Sequence, residues 1–153
     1  YLYWKNFGVP TISLRYFTVF GERQRPDMAF HIFIKEILTD GKITVFGDGK
    51  QSRNFTYVKD IVKANILAAE SDVEGEIFNI GGDGKRVVLN DAIDLMEALI
   101  GKKANREYQQ VVKGDVKHTS ADTSKAKKML DYVPEVEFEE GLAREVKFLK
   151  KLY

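Results

Sequence analysis

Short β-rich segments alternate along the chain with longer segments whose apolar residues recur at helical spacing. Residues 11–17, 43–46 and 77–80 predict strands, because branched and aromatic residues are concentrated there and turn residues follow. Apolar spacing over residues 28–38 and 60–71 predicts two amphipathic helices. The first half of the chain is therefore expected to alternate strands with helices.

The second half continues this order. Residues 87–89 and 107–112 predict strands, and residues 91–100, 124–130 and 139–152 predict helices. Such alternation is typical of the α/β class, in which strands and helices are not separated into different parts of the chain. We expect one α/β region that covers residues 1–153.

Polar residues at the predicted helix starts indicate caps, since a short polar side chain can accept from the free N–H groups of a first turn. Asp27, Asn90 and either Asp122 or Thr123 stand at such starts. The second amphipathic helix should bury one side. The residues expected on that side are Ile61, Ala64, Ile66, Leu67 and Ala68.

Composition excludes several classes of protein. The 24 basic and 23 acidic residues leave a net charge of +1, which argues against a nucleic-acid partner. The chain has no cysteine, which fits a reducing, cytoplasmic setting. It has no apolar run of about 18 residues for a membrane helix. It opens on an aromatic segment without an initiator Met, so we expect the sequence to begin inside a longer protein.

The usual signatures of a complete cofactor enzyme are absent. No glycine-rich dinucleotide fingerprint opens a helix, and His31 and His118 lack the spacing of a metal site. Tyr1 and Lys5 have the Tyr-x-x-x-Lys spacing of a tyrosine base, but that spacing is common on helices. We expect them to be packing residues at a helix end, and we expect no catalytic residue in this chain.

The first candidate binding segment is residues 14–30. A predicted strand carries Tyr16, Phe17 and Thr18 to its carboxyl end, where ligands bind in open α/β sheets. The following loop carries Arg23 and Arg25 to a helix start, a combination suited to an anion. The alternative is that both arginines are solvated loop charges.

Two further segments suit a nucleotide. In residues 42–60, a strand ending at Phe46 could flank a flat base, and Arg53 could reach a phosphate. The alternative there is a hairpin with a surface arginine. In residues 112–130, Asp115 could accept hydrogen bonds from ribose hydroxyls, while capping is the stronger interpretation of Asp122.

Together, these segments resemble the carboxyl-terminal region of the extended short-chain dehydrogenase/reductase family of NAD-dependent epimerases and dehydratases. The shared blocks are R-Y-F-x-V-[FY]-G, R-P-D-M-A-F, G-D-G-x-Q-x-R-x-[FY]-x-[YH]-V-x-D and G-D-V-x-x-T-x-A-D-x-S-K-A, and the resemblance covers essentially the whole chain. It implies the last strands of a Rossmann-type parallel sheet with a small α/β lobe. The amino-terminal NAD-binding part would be absent.

The resemblance implies a role for each matching residue. Tyr16 and Phe17 would flank the nicotinamide of NAD, and Thr18 with Arg25 would hold the sugar carboxylate of a UDP-glucuronate-type substrate. The other implied contacts are Ala29 and Phe30 (backbone near the diphosphate), Thr44, Val45 and Phe46 (uracil), Arg53 (phosphate) and Asp115 (ribose). Val112 stands where many relatives have a diphosphate-binding Arg, and Lys113 follows it.

The implied activity is that of a UDP-sugar 4-epimerase, in which hydride leaves sugar C4 for NAD and returns to the other face. UDP-glucose and UDP-glucuronate both remain open as substrates. The alternatives are a dehydratase or decarboxylase of the same family, or a non-catalytic sugar-nucleotide-binding module. Relatives commonly form homodimers through helices mainly in the other half, so the resemblance leaves the oligomeric state open.

Overall fold

The computed structural model describes residues 1–114 and 116–153. The elements in chain order are α1 (Leu2–Phe7), β1 (Ile12–Tyr16), β2 (Val19–Phe20), α2 (Ala29–Leu38), β3 (Lys42–Phe46), β4 (Ser52–Arg53), β5 (Thr56–Tyr57), α3 (Val58–Glu70), β6 (Glu76–Ile80), β7 (Val87–Val88), α4 (Leu89–Ile100), β8 (Asn105–Gln109), α5 (Ser124–Leu130) and α6 (Phe138–Leu149).

The described residues form two compact units. Unit 1 contains Tyr1–Val19, Asn54–Lys85 and Ser120–Glu137. Unit 2 contains Phe20–Arg53, Arg86–Thr119 and Phe138–Tyr153. Because the chain passes several times between the units, each unit joins residues that are far apart in sequence.

Unit 1 is built on a parallel pair of strands. β1 and β6 run in register from Ile12 opposite Glu76 to Tyr16 opposite Ile80. Helices α3 and α5 pack on this pair, and the apolar side chains between them are almost fully buried. The Tyr132 hydroxyl, also buried, donates to the carbonyl of Gly81 at 2.8 Å, which ties the segment after α5 to the end of β6.

Unit 2 places three helices around a second strand pair. β3 and β8 are parallel, with Thr44 opposite Glu107, and α2 packs on β3 while α2, α4 and α6 contact one another. The short strands β4 and β7 are antiparallel. The strand alternation buries Ile43 and Val45 completely and leaves Phe46 partly exposed.

The α/β prediction with parallel strands is confirmed by these two pairs. The predicted segments also occur, with shifted ends, and α5 has the predicted bounds. The predicted strand over residues 107–112 instead spans Asn105–Gln109. No helix within residues 1–114 or 116–153 has the length and apolar character to cross a membrane.

Three local predictions are wrong. Met28, not Asp27, is the N-cap of α2, and Asp27 pairs with Arg25. Asn90 is not a cap, because α4 begins one residue earlier and the Asn90 amide donates to the Asp48 carbonyl at 3.0 Å. Ile66 is 50% exposed because the buried face of α3 runs through Ile61 and Ala64. The capping signal is overridden at Asn90 by a contact distant in sequence and at Asp27 by an ion pair with a near neighbour.

The start of α5 partly agrees with prediction. Thr123 is its N-cap, without a capping bond from its side chain. The Asp122 carboxylate accepts from the Ser124 N–H at 3.0 Å, and hydrogen bonds from Ser124 lower the pKa of Asp122. Asp122 thus satisfies a first-turn donor from one residue outside the cap.

A buried acid joins α4 to β8. Glu97 is 5% exposed and accepts hydrogen bonds from Lys103, Arg106 and the Ala104 N–H. Burial opposes ionisation, but the hydrogen bonds from Lys103 and Arg106 outweigh it and lower the pKa of Glu97 to about 2. The ionised carboxylate is therefore part of the folded state.

We expect unit 2 to lose stability in acid because of Glu97. A carboxyl with a lowered pKa contributes stability above its ordinary value of 4.5, and this contribution disappears as the pH falls towards about 2. Urea unfolding between pH 7 and pH 2 should show a loss of about 2 kcal/mol that is absent in Glu97→Gln. Glu107→Gln, which removes an exposed ion pair with Lys42, is the matched control and should behave like wild type. An unchanged acid response in Glu97→Gln would contradict this assignment.

Candidate functional site

The carboxyl end of β1 carries the first three candidate residues, all in unit 1. Phe17 continues the strand ladder by donating its N–H to the Ile80 carbonyl at 2.9 Å. The Thr18 carbonyl accepts from the Thr56 N–H at 2.9 Å, and the Thr18 side chain is half-buried. The backbone at this edge is thus held on two sides, which gives Thr18 a defined place at the end of the sheet.

Tyr16 is 47% exposed, and its hydroxyl donates to the Asn65 side chain on α3 at 2.8 Å. Asn65 is in turn held by the Ile61 carbonyl at 2.7 Å. Both Tyr16 and Asn65 line a cavity of about 600 Å³ along β1 and α3 within unit 1. The ring of Tyr16 is therefore fixed in orientation but has one accessible side.

In unit 2, a loop from Gly21 leads to α2 and presents Arg25. The Arg25 guanidinium donates to the Asp27 carboxylate at 3.0 Å, and both side chains are mostly exposed, at 74% and 66%. An exposed ion pair of this kind contributes about 0–1 kcal/mol, so a better-placed carboxylate could replace Asp27 at little cost.

The candidates at the start of α2 differ in what they can offer a ligand. Ala29 is exposed, whereas the Phe30 ring is 2% exposed and packs edge-on against Phe20 at 5.8 Å. Phe30 therefore belongs to the core by its side chain. Any contact with a diphosphate at this place would come from the backbone.

β3 separates its three candidates in the same way. Val45 is fully buried, while Thr44 is half-buried and Phe46 is 44% exposed. Since strand side chains alternate, Thr44 and Phe46 lie on opposite sides of the backbone from Val45. Only Thr44 and Phe46 can present side chains to a flat base.

Arg53 is brought together with the segment that follows Val112. Its guanidinium donates to the carbonyls of Ser52 and Lys117 at 3.0 and 3.3 Å. Ser52 pairs with the same segment through its N–H to Lys117 and its hydroxyl to His118 at 2.8 Å. Val112 is 50% exposed and Lys113 is exposed, while Asp115 lies outside the described residues.

The candidates divide between the two units. Tyr16, Phe17 and Thr18 belong to unit 1, and the described remainder belong to unit 2. Within unit 2, the structure brings Arg53 beside residues 117–119, although these segments are more than 60 residues apart in sequence. This contact joins two of the motifs that the sequence analysis treated separately.

Tyr1 and Lys5 are in contact with each other. The Lys5 ammonium lies 5.8 Å from the centre of the Tyr1 ring, and that ring also packs against Trp4 at 5.8 Å. Trp4 donates to Glu74 at 3.1 Å, which ties α1 to the segment before β6. These are surface contacts, because Tyr1 is 54% exposed and no residue of α1 is buried.

Sequence analysis missed two residues that hold the Arg25 loop. Glu145 is fully buried and accepts from the Gly21 N–H at 3.0 Å, and His31 is 7% exposed and contacts Gln24. A signal for Glu145 was present. It lies on the same helical stripe as Leu142, Val146 and Leu149, where a charged residue is unusual.

Comparisons with known proteins find relatives that match nearly the whole chain. The family model for the NAD dependent epimerase/dehydratase family matches residues 2–81. A UDP-glucuronate 4-epimerase of Thermodesulfobacterium geofontis is 46% identical over 151 residues, which are 99% of this chain and 46% of that protein.

Solved structures of epimerases are also similar to this chain. The UDP-glucuronic acid 4-epimerase of Bacillus cereus, crystallised with UDP-glucuronic acid and NAD, superposes with a TM-score of 0.94 at 45% identity and covers 99% of this chain and 49% of that one. The UDP-glucose 4-epimerase of Thermotoga maritima, with UDP-glucose, has a TM-score of 0.93 at 34% identity, covering 99% and 49%. The chain thus spans about half the length of the relatives it matches. On the family match and the shared fold, this chain belongs to the NAD dependent epimerase/dehydratase family.

Proposed function

We propose that this chain is the sugar-nucleotide-binding half of an NAD-dependent UDP-sugar 4-epimerase that interconverts UDP-glucuronate and UDP-galacturonate. The observation that carries the proposal is Arg25, an exposed guanidinium whose described partner carboxylate is also exposed. A planar guanidinium suits the carboxylate of an acid sugar because it can donate two parallel hydrogen bonds.

The remaining candidates have separate tasks in this proposal. Thr18 assists Arg25 at the sugar carboxylate, and Arg53 binds a phosphate with its guanidinium oriented by two backbone carbonyls. Thr44 and Phe46 flank the uracil by their side chains, and Val45, Ala29 and Phe30 contribute backbone only, because Val45 and Phe30 are buried. Asp115 binds the ribose.

NAD completes the proposed enzyme, and the residues at the end of β1 fit a flat nicotinamide. Tyr16 offers an accessible ring face whose orientation is fixed through Asn65, and Phe17 follows it. When bound, NAD supplies reversible hydride transfer at sugar C4. The present chain contributes binding, orientation and exclusion of water, and the tyrosine base belongs to the other half.

We further propose that the cofactor-binding half adds to unit 1 along β1. Among the described residues, β1 pairs with β6 alone, and the cavity of about 600 Å³ follows its length. Pro10, Ile12 and Leu14 line this cavity with apolar surface. A further strand on this edge would satisfy backbone groups that a two-stranded pair leaves open.

For the complete protein we also predict a homodimer, which light scattering would measure.

Calorimetric titration of this chain with UDP and with NAD separately tests the nucleotide site. We expect UDP to bind and Arg53→Ala to weaken that binding about 30-fold, because a charge-assisted bond to a phosphate is lost. Lys128→Ala removes an exposed positive charge on α5 and should leave the affinity unchanged. Equal affinities in wild type and Arg53→Ala would contradict the assignment of Arg53.

The activity is tested by adding NAD and UDP-glucuronate. This chain alone should give no turnover, and the complete protein should form UDP-galacturonate. Turnover by this chain alone would contradict the division of labour proposed here. Binding of UDP with no turnover in the complete protein would instead identify a non-catalytic sugar-nucleotide-binding module.

A further inference from the structure

The loop that carries Arg25 has a conformation that requires support from outside. Arg23 adopts a left-handed backbone with φ of 65°, which a residue with a Cβ rarely takes. A turn bond from the Gln24 N–H to the Gly21 carbonyl at 3.1 Å closes the loop locally. Strain of this kind persists where surrounding contacts over-determine the backbone.

Glu145 supplies one of these contacts. It lies on α6 with no exposed surface, and one carboxyl oxygen accepts from the Gly21 N–H at 3.0 Å. Its other oxygen has no hydrogen-bond partner among the described residues. Burial raises the pKa of Glu145 to about 8, against the hydrogen bond from Gly21 and with a further contribution from Glu22. A buried carboxyl is costly, and this one accepts a hydrogen bond from Gly21, so its effect falls on the loop.

His31 supplies a second contact. It holds Gln24, which lies three residues after Gly21 in the loop. One ring nitrogen lies 3.1 Å from the Gln24 carbonyl, and the other lies 3.1 Å from the Tyr153 hydroxyl. The His31 backbone N–H also donates to the Gln24 side-chain oxygen at 3.0 Å. The strained residue Arg23 is thus enclosed between two anchored residues, Gly21 and Gln24.

The loop is also continuous with a packed aromatic cluster. Phe20 immediately precedes Gly21 and lies 5.2 Å from the Phe138 ring at the start of α6. Two successive residues therefore meet α6, Phe20 through its ring and Gly21 through the hydrogen bond to Glu145. Arg25 follows the last anchored residue directly, and its own contacts are to Asp27 and Met28 nearby.

We propose that Glu145 is a positioning residue that sets the place of Arg25, and thereby the preference for an acid sugar, by holding the Gly21 backbone. The proposal rests on the proposed function, since it assumes that Arg25 binds the sugar carboxylate. Glu145 does not touch the substrate and acts only through the loop. Loss of the Gly21 contact frees the strained backbone around Arg23, and Arg25 then spends less time where the carboxylate binds.

The test compares Glu145 variants in the complete protein with both UDP-glucuronate and UDP-glucose. Glu145→Leu replaces the carboxyl with an apolar side chain of similar size and leaves the Gly21 N–H without an acceptor. The KM for UDP-glucuronate should rise about tenfold, while the kcat and the KM for UDP-glucose stay the same. Glu145→Gln retains a carbonyl acceptor of the same shape and should restore KM. Glu139→Leu, at an exposed place on the same helix, is the control.

Hydrogen exchange gives a readout that needs no substrate. The Gly21 amide should be protected in wild type and in Glu145→Gln, and it should exchange at least about tenfold faster in Glu145→Asp, whose shorter side chain withdraws the acceptor. Unchanged exchange would overturn the proposal. So would equal KM changes for the two sugars, provided that Arg25→Ala discriminates between them. If Arg25→Ala does not discriminate, the proposed substrate is wrong, and the exchange result still decides the role of Glu145.

Discussion

Replacing Arg25 with alanine should raise the KM for UDP-glucuronate about 50-fold and leave the KM for UDP-glucose within about threefold of wild type. The reason is chemical rather than structural. The Arg25 side chain is 74% exposed, so its removal leaves no cavity and no buried partner. What is lost is a charge-assisted pair that UDP-glucuronate can form and UDP-glucose cannot.

Arg25→Lys separates the fork geometry from the charge. Lysine keeps the positive charge but cannot donate two parallel bonds, so the KM for UDP-glucuronate should fall between those of wild type and Arg25→Ala. Steady-state kinetics of the complete protein with both substrates supplies the measurement. Equal changes for both sugars in Arg25→Ala would show that Arg25 is not a carboxylate ligand.

Gly82→Ala should be the most destabilising single substitution proposed here, at about 3 kcal/mol. A Cβ at Gly82 would overlap the backbone carbonyl oxygen of Phe55. The backbone at Phe55 has little freedom to move, because the adjacent Thr56 N–H donates to the Thr18 carbonyl and the Asn54 side chain donates to the Lys85 carbonyl. The turn after β6 therefore requires glycine for close approach, not for an unusual φ.

Gly84→Ala is the matched control two residues away. Nothing lies within 4 Å of a Cβ there, but the φ of 86° carries a conformational cost of about 1 kcal/mol. Urea unfolding of both variants compares steric overlap with backbone strain in the same turn. If Gly82→Ala unfolds at the same urea concentration as Gly84→Ala, the close approach to Phe55 does not restrict the turn.

The sequence predicted the order and type of the elements well, because strand and helix periodicity depends on near neighbours. The helix over residues 124–130 has the predicted bounds, and the parallel pairing of β1 with β6 follows the expected α/β class. The alternation along β3 also agrees with a strand, since Val45 is buried and Phe46 is not. These features need only the local spacing of apolar residues.

Capping and burial were predicted less well, because groups both near and distant in sequence compete for the same atoms. Asn90 stands at the start of α4, yet its amide binds the Asp48 carbonyl, 42 residues earlier. Asp27 stands before α2 but pairs with Arg25. Ile66 is apolar and at helical spacing, but the face of α3 that is buried in unit 1 excludes it. The spacing of polar and apolar residues along a helix does not specify these contacts.

The candidate site shows the same division. The sequence alone determined the family resemblance, the α/β class and the types of residue available to bind a nucleotide sugar, because short motifs and periodicity carry that information. Only the tertiary structure decided that Arg53 meets the segment at Lys117, and that a fully buried Glu145 holds Gly21, 124 residues away. Burial and hydrogen-bond partners depend on which distant segments the fold brings together. Such contacts are a property of the whole packed chain rather than of any one segment.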